Sequence, residues 1–229
     1  MIAGPCTNEE DKNMQESGVI FALPKGRIQE ECLPLLSGID FHPEQSFIKK
    51  DTRKLQFTTN LDSVSIIEVR SFDVATFVSN GVCDIGICGS DVIEEFSLPD
   101  VLVYKKLNIG KCRISIAGAN ANFDQIIANK KLLTVATKYP NITKSHFNQL
   151  NLNANLKIIK LNGAIEIITS LGYADFIVDL VSTGKTLKDN GLHEIRTLHN
   201  VESCLIINKN SLRFKRERVL EVINKFSDV

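Results

Sequence analysis

The sequence has no excess of charge of either sign, because 27 basic residues balance 27 acidic ones. No field of the whole protein therefore favours nucleic acid or an anionic membrane, and any anion site must be local. It also has no apolar run long enough to cross a bilayer. Residues 1–17 are polar and lack the apolar stretch of a signal peptide, which predicts a disordered leader and disfavours secretion.

The six cysteines form no Cys-x-x-Cys pair, and the four histidines have no ligand-like spacing with them. A structural zinc site is therefore disfavoured. Apolar, strand-like runs hold Cys83, Cys88, Cys112 and Cys204, where free cysteine behaves as a small hydrophobe. This usage fits a reducing compartment, and we expect a cytoplasmic protein.

Short β-rich runs alternate with helix-like segments along the chain. Val19–Leu23 is typical of a strand, Ile28–Leu36 of a helix and Val64–Val69 of the next strand. Such alternation predicts parallel sheets covered on both faces. Further strands are expected at Cys83–Cys88, Arg113–Ala117, Leu133–Ala136, Leu156–Leu161, Asp175–Leu180 and Cys204–Ile207. Further helices are expected at Phe72–Asn80, Asn122–Asn129, Thr143–Leu150 and Ala164–Ser170, with one terminal amphipathic helix ending near Phe226.

The pattern predicts an α/β protein with two lobes and crossings near residues 107–111 and 196–202. Lobe I would comprise residues 18–109 plus 200–229, and lobe II residues 110–199. The last strand and helix would return to the first lobe. Such a layout suits a ligand cleft between the lobes, at the carboxyl ends of the strands.

The most informative segment joins an acidic strand to a polar turn. Asp175 and Asp179 lie four residues apart, hence on one face of a strand, and the turn Ser182–Thr186 follows. Such a turn can bind a phosphate through its backbone N–H groups, hydroxyls and ammonium. The preceding carboxylate can bind ribose hydroxyls, directly or through Mg²⁺. A Walker A motif is excluded because position 179 is not glycine. The alternative is a helix N-cap without a ligand.

Four further segments carry candidate binding groups. In Pro24-Lys25-Gly26-Arg27, two cations oppose the positive end of a helix dipole, so either an anion binds there or the turn is merely solvated. Asp91 starts a helix and is either a ligand or an N-cap. Tyr139 lies on a strand-end loop and either stacks on a base or packs ordinarily. A basic cluster consists of Lys49, Lys50, Arg53 and Lys54. It is either a solvated face or, if other binding groups converge on the same ligand, part of a binding site.

Taken in order, these segments resemble the ATP phosphoribosyltransferase family in its short form. The similarity runs from about Ile20 to Asn208. The matching stretches are Ala22–Arg27, Asp84–Asp91, Ala136–Pro140, Gly163–Glu166, Asp179–Gly184 and Thr186-Leu187. The chain departs from the family pattern at Ser71, Ala75, Ala164 and Thr169.

The resemblance implies a two-lobed, periplasmic-binding-protein-like (type II) fold with a central cleft. It also implies the reaction in which N1 of ATP attacks C1 of phosphoribosyl pyrophosphate (PRPP), and pyrophosphate leaves with Mg²⁺. The product would be N1-(5-phospho-β-D-ribosyl)-ATP, formed in the first step of histidine biosynthesis. Positioning and charge stabilisation would carry catalysis without a protein nucleophile.

The resemblance also implies roles for individual residues. PRPP would be held on the second lobe by Glu166, Asp179, Ser182, Thr183, Gly184, Lys185 and Thr186. The ATP side would be lined by Lys25, Arg53, Asp91 and Tyr139. Arg27 and Arg53 would face the pyrophosphate as the catalytic cations, and Mg²⁺ would come with the substrate, without a direct protein ligand.

Partners are likewise implied by the short form. Only one helix is expected after Cys204–Ile207, which leaves no place for the regulatory domain of longer family members. The short form implies instead a hetero-oligomer with a separate histidyl-tRNA-synthetase-like regulatory subunit, and the family resemblance implies a homodimer. We expect no nucleic-acid or membrane partner. The rival interpretations are a solute-binding protein of the same fold, which predicts a secretory signal, and a different phosphoribosyltransferase.

Overall fold

The computed structural model describes residues 18–49, 53–119, 122–150 and 154–227. The expected leader and Lys50 lie outside these residues. The chain forms two compact units. Of the described residues, the first unit contains those up to Ile93, Ser97–Gly110 and those from Glu202 onward, and the second contains Glu94–Phe96 and Lys111–Val201.

The first unit is built on a six-stranded sheet with the order β2-β3-β1-β4-β11-β5. Its strands are β1 (Val19–Pro24), β2 (Gln56–Thr58), β3 (Val64–Val69), β4 (Ile85–Gly89), β5 (Val101–Lys106) and β11 (Ser203–Asn208). Strand β1 pairs in parallel with β3 and β4, whereas β11 is antiparallel to β4 and β5. The three parallel strands therefore end at one edge of the sheet.

Helices pack against this sheet, and the packing forms two clusters of buried apolar side chains. The helices are α1 (Arg27–Gly38), α2 (Gln45–Lys49), α3 (Ser71–Ser79), α4 (Ser90–Phe96), α9 (Lys209–Phe214) and α10 (Arg216–Asn224). In one cluster, the ring of Phe21 contacts those of Phe41 and Phe226 edge-on. In the other, α3 packs so closely on β4 that a Cβ at Gly86 would lie 2.7 Å from Val74 and 2.9 Å from Val78. Close packing of α3 thus requires this glycine.

The second unit contains a five-stranded sheet with the order β10-β6-β9-β7-β8. Its strands are β6 (Cys112–Gly118), β7 (Leu132–Thr137), β8 (Asn155–Lys160), β9 (Phe176–Val181) and β10 (His193–Val201). Its helices are α5 (Phe123–Asn129), α6 (Pro140–Gln149), α7 (Ile167–Ser170) and α8 (Lys185–Asp189). Strand β7 is parallel to β8 and β9, and β6 is antiparallel to β9 and β10.

Several predictions from the sequence need correction. The expectation of wholly parallel sheets is wrong, since both sheets are mixed: β11 is antiparallel to β4 and β5, and β6 is antiparallel to β9 and β10. The terminal helix is two helices that break at Lys215. The helix expected at Ala164–Ser170 begins only at Ile167, because Ala164 has a left-handed φ of 50°.

Two further features concern the chain as a whole. Within the described ranges, no helix combines the length and apolarity needed to cross a membrane. Cys32, Cys83, Cys88, Cys112 and Cys204 are free thiols.

Candidate functional site

Most of the residues expected to bind PRPP lie at one edge of the second unit's sheet. Because β7, β8 and β9 run in parallel, the loops that follow them share that edge. The loop after β9 is Ser182–Gly184, which leads into α8 at Lys185, and the loop after β8 leads through Gly163 to Glu166. The fold thus brings Glu166, Asp179 and Ser182–Thr186 to the same side of one sheet.

The turn after β9 has the backbone geometry of a tight loop into a helix. Gly184 has φ of 75° and ψ of 3°, a left-handed conformation that disfavours residues with a Cβ. The hydroxyl of Thr183 accepts the N–H of Lys185 at 3.4 Å. Since Ser182, Thr183, Lys185 and Thr186 are exposed, the turn presents hydroxyls and an ammonium to solvent. These are groups that recognise a phosphate.

The two carboxylates of β9's segment have different surroundings. Asp179 is half-buried near the turn, and its Oδ1 accepts the N–H of Leu180 at 2.8 Å. Asp175 precedes the strand at its other end, where it accepts bonds from Lys130 and from the N–H of Thr134, the latter at 2.9 Å. Asp179 is therefore the carboxylate placed beside the turn, and Asp175 joins β9 to β7.

Glu166 follows a sharp bend after β8. The left-handed φ of Ala164 turns the chain, and Glu166 is half-buried just before α7. Its carbonyl accepts the hydroxyl of Thr169 at 2.9 Å, so a residue that departs from the family pattern stabilises this turn. The bend directs the chain to the edge where Asp179 lies.

Arg113 and Glu194, which the sequence did not identify, lie beside the same turn. Arg113 forms a two-pronged ion pair with Glu194, and its remaining guanidinium nitrogen donates to the carbonyl of Ser182 at 3.1 Å. Hydrogen bonds from Arg113, and from Ser115 and Thr197, lower the pKa of Glu194 to about 2. Glu194 and Arg113 are 81 residues apart, so no local motif in the sequence indicated that they form a pair.

The loop after β7 is held by buried contacts. Tyr139 has no exposed surface, which favours the packing alternative over stacking on a base. Its N–H donates to the hydroxyl of Thr137 at 2.8 Å. Buried Glu95 accepts the N–H groups of Asn141 and Ile142 at 3.0 Å, so a carboxylate already occupies the start of α6.

In the first unit, Lys25 lies in a small polar network at the end of β1. Its Nζ is 3.1 Å from Glu68 Oε2, and the amide of buried Gln29 donates to Glu68 Oε1 at 2.8 Å. A recess of about 270 Å³ opens here, with Phe47 and Phe57 among its lining residues. Glu68 and Gln29 thus hold the lysine that the sequence singled out.

The other predicted residues of the first unit occupy neighbouring strand ends. Arg27 is exposed and lies 3.7 Å from Glu31, one helical turn on. Exposed Arg53 lies two residues before Leu55, whose carbonyl accepts the N–H of Glu68 at 2.8 Å. Asp91 is buried, at 3% exposure, in the first turn of α4.

Part of the basic cluster near Arg53 is neutralised. The ammonium of Lys54 is 2.7 Å from Glu44, which also accepts the N–H and the hydroxyl of Thr58. Lys54 therefore belongs to a surface ion pair that stabilises the chain entering β2.

These features define the class of protein. Two α/β units, each built on a mixed sheet, have the fold of periplasmic binding proteins. The aliphatic sulphonate binding protein SsuA of Escherichia coli has a TM-score of 0.57 at 14% identity, over 93% of this chain and 72% of that chain. The BvgS VFT2 domain of Bordetella pertussis has a TM-score of 0.56 at 14% identity, over 97% and 92%. Likeness at this identity concerns the fold alone.

The family is shown by sequence. The sequence model of ATP phosphoribosyltransferase (HisG) matches residues 70–228. The chain is 46% identical over 216 residues to the ATP phosphoribosyltransferase of Novosphingobium aromaticivorans, covering 91% of this chain and 93% of the relative. For the ATP phosphoribosyltransferase of Gluconobacter oxydans, identity is 42% over 211 residues, covering 92% and 87%. The chain therefore belongs to the ATP phosphoribosyltransferase family, and the expected resemblance is confirmed.

A solved relative agrees with this assignment. The ATP phosphoribosyl transferase (HisG:HisZ) complex from Thermotoga maritima has a TM-score of 0.76 at 28% identity, over 92% of this chain and 97% of that chain. The predicted two-lobed, periplasmic-binding-protein-like fold class is thereby confirmed as well.

Proposed function

We propose that this chain transfers the 5-phosphoribosyl group of PRPP to N1 of ATP. The products are N1-(5-phospho-β-D-ribosyl)-ATP and pyrophosphate, and the reaction is the first step of L-histidine biosynthesis. Family membership supports the reaction. The structural observation that supports it best is the turn Ser182–Thr186, with Gly184 left-handed and Asp179 just before it.

PRPP binds the second unit in this proposal. The 5-phosphate lies in the turn, where it accepts bonds from backbone N–H groups and from the hydroxyls of Ser182, Thr183 and Thr186, while Lys185 balances its charge. Asp179 and Glu166 accept bonds from the ribose hydroxyls. Their place at one sheet edge supports this assignment.

ATP binds through residues at strand ends of the first unit. We assign its phosphates to Lys25 and Arg53, and a polar contact to Asp91. The buried ring of Tyr139 supports the loop after β7 instead of stacking on adenine. As N1 attacks C1 with inversion, negative charge grows on the departing pyrophosphate, where the guanidinium groups of Arg27 and Arg53 stabilise it.

Mg²⁺ accompanies PRPP in this proposal. Across the described residues, no three His, Cys, Asp or Glu side chains are grouped so that they could hold a metal ion. The chemistry of the turn suits a phosphate whose metal is brought by the substrate. When bound, the ion neutralises part of the charge on pyrophosphate.

The proposal extends to partners and location. The Thermotoga maritima relative is a HisG:HisZ complex, and we infer that this chain also binds a separate histidyl-tRNA-synthetase-like subunit and forms a homodimer. Histidine alone should then leave the isolated chain unaffected, because an effector acts only through a site with differential affinity. Free thiols at five described cysteines support a cytoplasmic location.

Turnover with different nucleotides tests the reaction. The purified chain is mixed with PRPP, Mg²⁺ and one of ATP, GTP, CTP or UTP, and both the release of pyrophosphate and the ultraviolet change of N1-substituted adenine are followed. Product from ATP alone is expected. Tight ligand binding without turnover would favour the solute-binding alternative, and transfer to another base would favour a different phosphoribosyltransferase.

Adding the regulatory subunit tests the partner proposal. The mixed complex should be faster than the isolated chain and should be inhibited by histidine. Calorimetry that shows histidine bound tightly to the isolated chain, with matching inhibition, would contradict the proposal.

A further inference from the structure

Arg113 occupies a position from which it reaches the start of the phosphate turn. It lies on β6, where it pairs in register with Val181, the last residue of β9. On the other side of β6 runs β10, which carries Glu194. Arg113 is therefore flanked by the strand that delivers the turn and by the strand that supplies its counter-ion.

The pair is geometrically specific. Nε of Arg113 is 2.6 Å from Glu194 Oε1, and its terminal nitrogen NH2 is 2.5 Å from Oε2. Glu194 Oε1 also accepts the hydroxyls of Ser115 at 2.7 Å and Thr197 at 3.1 Å. Because four donors fix the carboxylate, and a planar fork matches it, the guanidinium is held in one orientation.

The third guanidinium nitrogen is directed at the turn. NH1 donates to the carbonyl of Ser182 at 3.1 Å, and Ser182 is the first residue of the turn. The peptide that contains this carbonyl also contains the N–H of Thr183. Fixing the carbonyl therefore fixes the direction of the first N–H group within the turn.

We propose that Arg113 is a positioning residue for PRPP, which sets the conformation of the turn Ser182–Thr186 through its bond to Ser182 and is itself oriented by Glu194. This inference rests on the proposed function, because it assigns the turn to PRPP. A residue that only stabilised the second unit would not affect the binding of one substrate selectively. Its loss should weaken PRPP binding while leaving ATP binding, assigned to the first unit, unaffected.

Two variants and one matched control test the proposal in the full chain. Arg113→Lys keeps the charge but cannot form the fork and the third bond together, and Glu194→Gln keeps the shape but weakens the fork. Lys130→Gln removes the ion pair with Asp175 at the opposite end of β9, within the same unit. Circular dichroism and thermal unfolding establish that each variant is folded.

The expected result is a selective change. Arg113→Lys should raise the KM for PRPP by about tenfold and leave the KM for ATP within about twofold, since one charge-assisted hydrogen bond is lost on the PRPP side alone. Glu194→Gln should also raise the KM for PRPP, but by a smaller factor. Lys130→Gln should leave both values close to those of the parent.

Amide hydrogen exchange gives a readout that does not depend on activity. Exchange in a peptide covering Ser182–Thr186 should be faster in Arg113→Lys than in the parent and unchanged in Lys130→Gln. Equal increases in both KM values, or parental exchange and PRPP affinity in a folded variant, would overturn the proposal. If Arg113→Lys does not fold, Glu194→Gln decides by the same criteria. A parent chain that neither binds nor consumes PRPP would instead refute the proposed function.

Discussion

Lys215 and Asp84 form a buried ion pair in the first unit, with Nζ of the lysine 3.0 Å from Oδ1 of the aspartate. The side chains are only 11% and 3% exposed. Asp84 also accepts the N–H of Ile20 at 2.7 Å, and Lys215 donates to the carbonyl of Gly18 at 3.0 Å. The pair thus joins the break between α9 and α10 to the starts of β1 and β4.

Removing one partner of this pair should destabilise the protein strongly. We expect Asp84→Ala to lower the free energy of unfolding by about 3–5 kcal/mol, because it leaves a charge buried without its counter-ion. Urea denaturation measures the change. The control is Lys106→Gln, which removes a surface pair with Glu202 and should lower the free energy of unfolding far less. Equal effects of the two substitutions would contradict this account.

Glu194 should make the protein's stability depend on acid pH. Its folded pKa of about 2 lies below the ordinary value of 4.5, so the ionised form stabilises the fold above about pH 4.5. That stabilisation is lost as the pH falls from there toward about 2. The difference in unfolding free energy between the parent and Glu194→Gln should therefore be largest at neutral pH and shrink on acidification. A difference that stays constant across this range would show that the ion pair contributes nothing.

Lys25 should affect ATP more than PRPP. We expect Lys25→Met to raise the KM for ATP by about tenfold, because an ammonium assigned to its phosphates is lost, and to leave the KM for PRPP within about twofold. Steady-state kinetics with each substrate varied in turn measures both. Lys54→Met, which removes the surface pair with Glu44, is the matched control and should leave both unchanged. Parental ATP kinetics in a folded Lys25→Met chain would remove this lysine from the site.

The cysteines should differ sharply in reactivity. Burial raises the pKa of Cys32 and Cys83 to about 12 and that of Cys204 to about 11, and it also raises the pKa of Cys88 well above its ordinary value. Half-buried Cys112 should therefore be the first described cysteine to react with a disulfide reagent in a Cys6→Ser background. The other four should react only after denaturation. Mass spectrometry of labelled peptides measures this, and prompt native labelling of Cys88 would contradict it.

Much of the fold could be predicted because buried strands carry strong local patterns. Val64–Val69 is a strand with the predicted bounds, and Val19–Leu23 differs from β1 by one residue. The edge strand β5 was missed although its first four residues form an apolar, β-rich run; four of its six residues are exposed, as is typical of an edge strand. Strand β10 was missed because its apolar residues are separated by polar ones, and all but one of its residues are exposed or half-buried.

The candidate site was predicted only in part. The turn after β9 could be recognised because its residues are contiguous in sequence. Folding brings together Glu68 and Gln29, which are 39 residues apart in the sequence. It likewise brings together Glu194 and Arg113, which are 81 residues apart. Spacing along the chain carries no signal for such pairs. The sequence indicated only that Glu68 is a polar residue near the end of a predicted strand, where binding residues are often found.

The central claim is that this chain consumes PRPP through the turn Ser182–Thr186. The most direct test is kcat/KM for PRPP at saturating ATP, compared between the parent and a double variant with Asp179→Asn and Thr183→Ala. We expect a loss of about tenfold or more, because each lost hydrogen bond to a charged group costs roughly 1.5–3 kcal/mol. Circular dichroism must show both chains folded. Unchanged kcat/KM in a folded double variant would contradict the assignment of PRPP to this turn.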